Sequence, residues 1–569
     1  MKSNYTFRTR LFFIAVFFFS LPLVFKLFMV QVVHNGFYAE AADRQYATPS
    51  SNIFERGTIY FTDKNGEIVS AASERSGFKL AIDPSKLADP KSAYDKISAI
   101  TPVAEEDFLA RAAKKSDVYE EVAHQLTKEA ADEIEALKIP GVNLYKEKWR
   151  FYPGNNLAAH TLGFVAYKGD ELGGRYGLER HYDKVLSRDK NTPYVNFFAE
   201  VFSNINESFF KPEEKAGNIV TTIEPVAQST LEQKLALVKE RYGADAVGGI
   251  IMSPDTGSIY AISIKPDFDL NNFSKVKNPS TFSNPLVENV LEFGSIVKPL
   301  IMASALDAKA VSPSTKYEDR GSVWVEKKEI FNFDEKARGV VNMQEVLNQS
   351  LNTGMVFVYQ KLGKERMKDY LLSFGIKDKT GIDLPNETSG LVSNLNSPRE
   401  IEFANASFGQ GIAMTPAEMI RALAALGNGG KLVTPHLVKS IKYEDGTSRE
   451  FEYASVQTKI SPQTSEEITS MLVKVMDEAL KGGKGKIDRH SVAVKTGTAQ
   501  VAREDGKGYY EDRYTHSFFG YFPAYDPKFI VLLYAVNPKG IEFAAQTWAD
   551  PFLDIAKFLL NYYEVPPDR

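Results

Sequence analysis

Residues 291–300 read LEFGSIVKPL. Ser295 and Lys298 stand three apart, Gly294 precedes the serine, and an apolar run follows the lysine. Residues three apart share one face of a helix, so the two side chains can meet. A serine hydroxyl beside an unprotonated lysine is an activated nucleophile. Taken alone, the pair equally fits a capping serine ahead of a solvated lysine. Pro299 lacks an amide hydrogen and is tolerated where first-turn donors are unpaired anyway. Ser295 is therefore expected at a helix N-terminus, and the surrounding chain decides what it does there.

Outward from this stretch the pattern is that of a sheet covered by helices. On the N-terminal side, TTIEPVAQSTLEQKLALVKERYG predicts a short strand and an amphipathic helix. GGIIMSPDTGSIYAISI then predicts a hairpin turning at Pro254-Asp255-Thr256-Gly257. On the C-terminal side, Thr415-Pro416 opens a helix, with proline at a favoured first-turn position. HSVAVKTGTAQVA and HSFFGYFPAYDPKFIVLLYAV predict three strands, the last two joined at Tyr525-Asp526-Pro527. DPFLDIAKFLLNYYE closes the chain as an amphipathic helix. This order gives an α+β fold, an antiparallel sheet covered by helices. The glycine runs GNGGK and KGGKGK lack P-loop spacing and read as loops.

Before residue 216 the chain is different. The polar stretch KPEEKAGNIV near residues 211–220 reads as a boundary. SSNIFERGTIYFTDKNGEIVSAASER predicts strand, turn at Lys64-Asn65-Gly66, and strand. HQLTKEAADEIEALKIPG has helical spacing stopped by Pro140-Gly141. Residues 11–33, LFFIAVFFFSLPLVFKLFMVQVV, are long enough to cross about 30 Å of hydrocarbon as one helix. Lys2, Arg8 and Arg10 precede it, while Glu40 and Asp43 follow, which puts the N-terminus in the cytoplasm and the rest outside. A cleaved signal peptide is the rival reading, from Ala39-Glu40-Ala41, but that site lies far beyond the first apolar block.

Composition narrows the chemistry. At 569 residues the chain is too long for one ordinary domain. A net charge of -5 offers no basic face for nucleic acid. With no cysteine, disulfides, thiol catalysis and thiolate metal sites are excluded. The 7 histidines form no ligand motif, so neither metal nor cofactor is expected.

Two further stretches answer the opening question. Ser350-Leu351-Asn352 lies in NQSLNTGM, and Lys495-Thr496-Gly497-Thr498 lies on the predicted strand VAVKTGTAQ. Ser-x-x-Lys, a middle Ser-x-Asn and Lys-Thr-Gly, in that order, resemble the signature of penicillin-binding proteins and class A β-lactamases. Over nearly its whole length the chain resembles a class B penicillin-binding protein. Arg56-Gly57-Thr58-Ile59 with Asp63-Lys64-Asn65-Gly66 resembles the motif opening that family's non-catalytic domain. Arg150-Phe151-Tyr152-Pro153 and Gly177-Leu178-Glu179 match further motifs of that domain, and FGQGIAMTP matches the transpeptidase domain. The ending FLLNYYEVPPD looks most like the division-specific, septal FtsI-type branch. One departure is Phe293, where the family usually has proline; the active-site turn is expected to survive, with substrate entry or antibiotic fit open to change.

The resemblance implies a cytoplasmic tail at 1–10, a transmembrane helix at 11–33, a non-catalytic pedestal (dimerisation-type) domain at 34–215 and a transpeptidase domain at 216–569. It implies a single-pass protein of the cytoplasmic membrane with its catalytic domain on the outer side. The implied activity is peptidoglycan D,D-transpeptidation through an acyl-serine, with stem peptides ending in D-Ala-D-Ala as donors and β-lactams as covalent inhibitors. Ser295 is then the nucleophile and Lys298 its base, with Ser350 relaying protons. Asn352 holds Lys298 and the substrate amide, and Lys495, Thr496, Gly497 and Thr498 line the strand that receives the substrate carboxylate. Implied partners are a membrane glycan polymerase and other division proteins. Alternatives are an elongation-type transpeptidase, a β-lactamase or β-lactam sensor, and a non-enzymatic scaffold.

Overall fold

The computed structural model describes residues 55–168, 171–188, 216–503 and 508–569. The span expected at 11–33 lies outside the described residues. Among the described residues no helix is long and apolar enough to cross a membrane.

The chain forms two compact units. The smaller holds Glu74–Trp149. Its helices Pro90–Ser98 and Lys128–Ala136 begin where side chains cap them: Asp89 accepts from the Ser92 N–H, and Thr127 from the Ala130 N–H. Leu80, Ile97, Phe108, Leu126 and Ile134 form its core. His124–Leu126, included in the helical stretch on sequence grounds, instead ends the strand Glu120–Leu126.

The larger unit holds Arg56–Ser73 and Arg150–Arg569. Three motif stretches far apart in sequence converge inside it on one buried carboxylate. Arg56 Nε donates to Glu179 Oε2 at 2.6 Å, and Arg150 Nε to Glu179 Oε1 at 2.6 Å. The Tyr152 hydroxyl donates to the same Oε1 at 3.2 Å, and Arg56 also reaches Asp183 at 2.7 Å. Glu179 and Arg56 are buried, so each charge depends on the others.

The part that carries Ser295 is built on a five-stranded antiparallel sheet. Helix α1 (Pro225–Tyr242) leads into the hairpin β1 (Ala246–Met252) and β2 (Ile259–Lys265). Helices α2 (Lys298–Asp307), α3 (Asn352–Leu362), α4 (Pro416–Ala424) and α5 (Pro462–Lys474) follow. Strands β3 (Ala493–Ala502), β4 (Tyr509–Phe522) and β5 (Phe529–Val536) and helix α6 (Ala544–Tyr562) complete it. The order across the sheet is β3-β4-β5-β1-β2, which leaves β3 at an edge. Gly249 of β1 faces Leu231 of α1, and Phe518 of β4 packs on Phe552 of α6 at 4.6 Å between ring centroids. Helix α2 is buried along its length from Lys298 to Leu306, as expected of a helix apolar on every side. Thr415 and Glu418 cap α4 reciprocally, as the Thr-Pro start predicts.

Candidate active site

Ser295 lies in a tight turn, Gly294–Val297, that runs directly into α2. The Lys298 N–H donates to the Ser295 carbonyl, so one turn of chain puts both side chains on one face. The turn needs its glycine. Gly294 has φ +60°, and a Cβ there would lie 3.0 Å from the Thr498 carbonyl oxygen. Phe293 is fully buried, its ring edge-on to Tyr534 of β5 at 6.3 Å, so its bulk is absorbed by the core.

Lys298 is fully buried, and its amine is held by the middle motif. Nζ donates to the Ser350 carbonyl at 2.6 Å and to Asn352 Oδ1 at 2.8 Å, with Ser350 Oγ at 3.3 Å. No hydrogen bond joins Ser295 Oγ to Lys298 Nζ among the described residues. A neutral amine has two N–H donors and one lone pair. Protonated, Nζ has one donor for each of the three oxygens; neutral, it keeps two donors and its lone pair can accept from a hydroxyl. Burial pushes the Lys298 amine well below the usual lysine range, and the nearby Lys495 charge pushes it the same way.

Lys495, near the start of β3, donates to Ser350 Oγ at 3.0 Å and to the Thr496 carbonyl at 3.0 Å. Burial lowers its amine to about 7. Ser350 thus stands between two lysines that cannot both be charged cheaply. Its backbone is left-handed, φ +55°, a costly conformation for serine of the kind that collects at active sites. The strand presses close to the turn. Gly497 leaves no room for a side chain: a Cβ would lie 2.5 Å from the Phe293 carbonyl oxygen and 3.0 Å from the Ile296 nitrogen. Ser517 of β4 fastens the two, donating to the Phe293 carbonyl at 2.7 Å. Thr498 accepts from the Ala544 N–H at the start of α6 at 3.1 Å. Thr496 stands between Lys495 and Gly497 on the same strand, half-buried.

All eight residues singled out in the sequence are therefore on adjoining elements around the Ser295 turn. Others were not singled out. Asp319, Asn332 and Thr353 form a buried lock: Thr353 Oγ1 donates to Asp319 Oδ1 at 2.7 Å, and Asn332 Nδ2 to the same oxygen at 2.9 Å. The Thr353 N–H donates to Asn332 Oδ1 at 3.2 Å, which fixes the first turn of α3 where Asn352 sits. Asn352 Nδ2 donates to the Phe331 carbonyl at 2.9 Å, so its oxygen must face Lys298. On the other side of Ser295, the Tyr509 hydroxyl donates to both Glu292 carboxylate oxygens, at 3.2 and 3.0 Å. Burial raises the Glu292 carboxyl, while Tyr509 draws it back. No motif spacing signals these partners.

The penicillin binding protein transpeptidase domain family matches residues 247–557, and the penicillin-binding protein dimerisation domain family matches 53–221. The chain belongs to the penicillin-binding protein transpeptidase family. It is 30% identical over 564 residues to stage V sporulation protein D of Bacillus subtilis (strain 168), covering 97% of this chain and 85% of that one. It is 25% identical over 566 residues to peptidoglycan D,D-transpeptidase FtsI of Buchnera aphidicola, covering 97% and 94%. Its fold matches penicillin binding protein 2X of Streptococcus thermophilus with a TM-score of 0.71 at 20% identity, over 90% of this chain and 81% of that one.

Proposed function

We infer that this chain is a peptidoglycan D,D-transpeptidase that cross-links stem peptides through an acyl ester on Ser295. The observation that carries the reading is the environment of Lys298: a buried amine with its N–H groups occupied, one turn from a serine and facing a second lysine. Lys298 takes the Ser295 proton as Oγ attacks the penultimate D-Ala carbonyl carbon of the donor. Backbone amides of Ser295 and Thr498 receive the developing oxyanion, worth about 3–4 kcal/mol per donor. The tetrahedral adduct collapses, the bond to the terminal D-Ala nitrogen breaks, and Ser350 passes a proton to that leaving amine. Lys495, Thr496, Gly497 and Thr498 hold the donor's carboxylate along β3, and Asn352 holds Lys298 and the substrate amide. An amine of a neighbouring stem then attacks the ester, giving its proton back through Lys298 and freeing Ser295. No cofactor is needed, because the energy of the cleaved peptide bond is conserved in the ester. β-Lactams acylate the same serine by presenting a strained amide in the donor's place.

Residues 11–33 anchor the enzyme in the cytoplasmic membrane as a single span, with the catalytic domain outside, residues 34–215 as pedestal and 216–569 as transpeptidase domain. It works beside a membrane glycan polymerase and other division proteins in septal wall synthesis. The relative named for sporulation supports a second reading, wall synthesis during sporulation. Labelled penicillin applied to membranes carrying the full chain tests the activity. Ser295→Ala should fold and lose the covalent label; a variant that still labels removes Ser295 as nucleophile.

A further inference from the structure

A two-stranded hairpin, Ser322–Val325 and Lys328–Phe331, stands beside the catalytic cleft. Its register pairs Ser322 with Phe331 and Trp324 with Glu329. Opposed residues, and residues two apart, share a face. One face therefore carries Ser322, Trp324, Glu329 and Phe331, and the other carries Val323, Val325, Lys328 and Ile330. The second face is packed inward, with Val325 5% and Ile330 8% exposed. The first would ordinarily be polar. Instead Trp324 is 64% and Phe331 43% exposed. Lone exposed apolar residues need no explanation, but two aromatics on one face next to an active site do.

The hairpin is held at both ends. At its tip, Glu326 accepts from the Glu400 N–H at 2.8 Å. At its base, the Phe331 carbonyl accepts from Asn352, which in turn holds Lys298. The rings are thus presented by a fixed support continuous with the wall of the cleft. Between them lie polar groups: Ser322 Oγ donates to Glu329 Oε1 at 2.6 Å. The other carboxylate oxygen can accept from a ligand. A sugar ring matches this arrangement. Its C–H face lies on the negative face of an aromatic ring, and its hydroxyls donate to a neighbouring carboxylate. The face is also too small for a protein partner: two strands of four residues cover about 13 Å by 10 Å, on the order of 130 Å², far below the roughly 800 Å² each partner gives to a standard interface.

We propose that the Trp324–Phe331 face binds the glycan strand of peptidoglycan and holds the sugar whose stem peptide enters the cleft. The proposal rests on the transpeptidase reading and names a second part of the same substrate. Peptide and sugar are joined covalently, so contacts to the sugar raise the effective concentration of the peptide at Ser295. They contribute nothing when the donor is a small β-lactam.

The chain has 3 tryptophans, Trp149, Trp324 and Trp548. Full-length protein carrying 5-fluorotryptophan gives a fluorine resonance for each, and Trp324→Phe assigns that of Trp324. Adding glycan strands stripped of stem peptides should shift the Trp324 resonance and leave that of buried Trp548 in place. Trp324→Ala should lower the ratio of cross-linking on polymeric nascent peptidoglycan to acylation by labelled penicillin roughly tenfold, the loss of one good aromatic contact. Trp324→Tyr should restore most of that ratio. A Trp324 resonance unmoved by the strands, or moved only by another membrane protein, overturns the proposal, as does an unaltered ratio in Trp324→Ala. Failure of the unaltered chain to take up penicillin would instead sink the transpeptidase reading, so the two failures are distinct.

Discussion

Gly497→Ala probes the closeness of β3 to the Ser295 turn. The added methyl group would lie 2.5 Å from the Phe293 carbonyl oxygen and 2.4 Å from Ser517 Oγ, where ordinary contact begins at 3.4 Å. Ser517 cannot simply swing away, because its hydroxyl ties the turn to the strand through the Phe293 and Gly497 carbonyls. The strand and the turn must therefore separate by about 1 Å. Forcing one methyl group into packed structure costs roughly 1–3 kcal/mol. The larger effect is on catalysis. The Thr498 amide moves with the strand, away from the oxyanion it is to receive, and a misplacement of about 1 Å costs on the order of 100-fold in rate. The second-order rate of acylation by labelled penicillin reads this directly, with circular dichroism to confirm that the fold persists. A folded Gly497→Ala protein acylating at the unaltered rate would refute the reasoning, since the strand's closeness would then not matter to the chemistry.

Lys298→Arg should lose roughly 100- to 10,000-fold in acylation rate, because arginine keeps its proton and cannot serve as base; near-normal acylation would leave the lysine an orienting role only. Acylation should rise with pH as the buried Lys298 amine loses its proton, and a flat profile measured by stopped flow would contradict the assignment. The same burial links to stability. The unfolded Lys495 holds its proton to near 10.5 and the folded one only to about 7. The unfolded state thus binds more protons between those values, and stability rises with pH across that window. Lys495→Met should flatten that rise in urea unfolding curves. Glu179→Ala removes the buried carboxylate that Arg56 and Arg150 share, and should destabilise the larger unit by about 3–5 kcal/mol, seen as earlier unfolding in urea.

The parts of this molecule that were legible in its sequence are those with local signals. Pro254-Asp255-Thr256-Gly257 turns the β1–β2 hairpin, Thr415-Pro416 starts α4, and the alternation around Lys495 makes a strand. The three motifs are legible because each is contiguous. The supports of their side chains are not contiguous. Asp319, Asn332 and Thr353 meet only when two small strand pairs fold over α3, and Tyr509 reaches Glu292 across 217 residues. Nothing in the letter Ser350 announces a left-handed backbone; the fold imposes it by fitting the loop between Asn348 and α3. The strand Glu120–Leu126 was hidden for a different reason. Its last residues run without a break into a strongly helical composition, and the capping Thr127 marks the change only once the strand's pairing with Phe78–Ile82 is seen. Phe293 shows the converse. The letter leaves open where its bulk goes, and the ring turns into the core against Tyr534.

The central claim is that Ser295, activated by Lys298, carries the acyl group. Mass spectrometry of the full chain, quenched during turnover of a D-Ala-D-Ala thioester donor and digested, reads the site of that group. The account predicts an ester on the peptide containing Ser295, absent from Ser295→Ala and scarce in Lys298→Arg. An acyl group on Ser350, or turnover with no acylated serine, would contradict it.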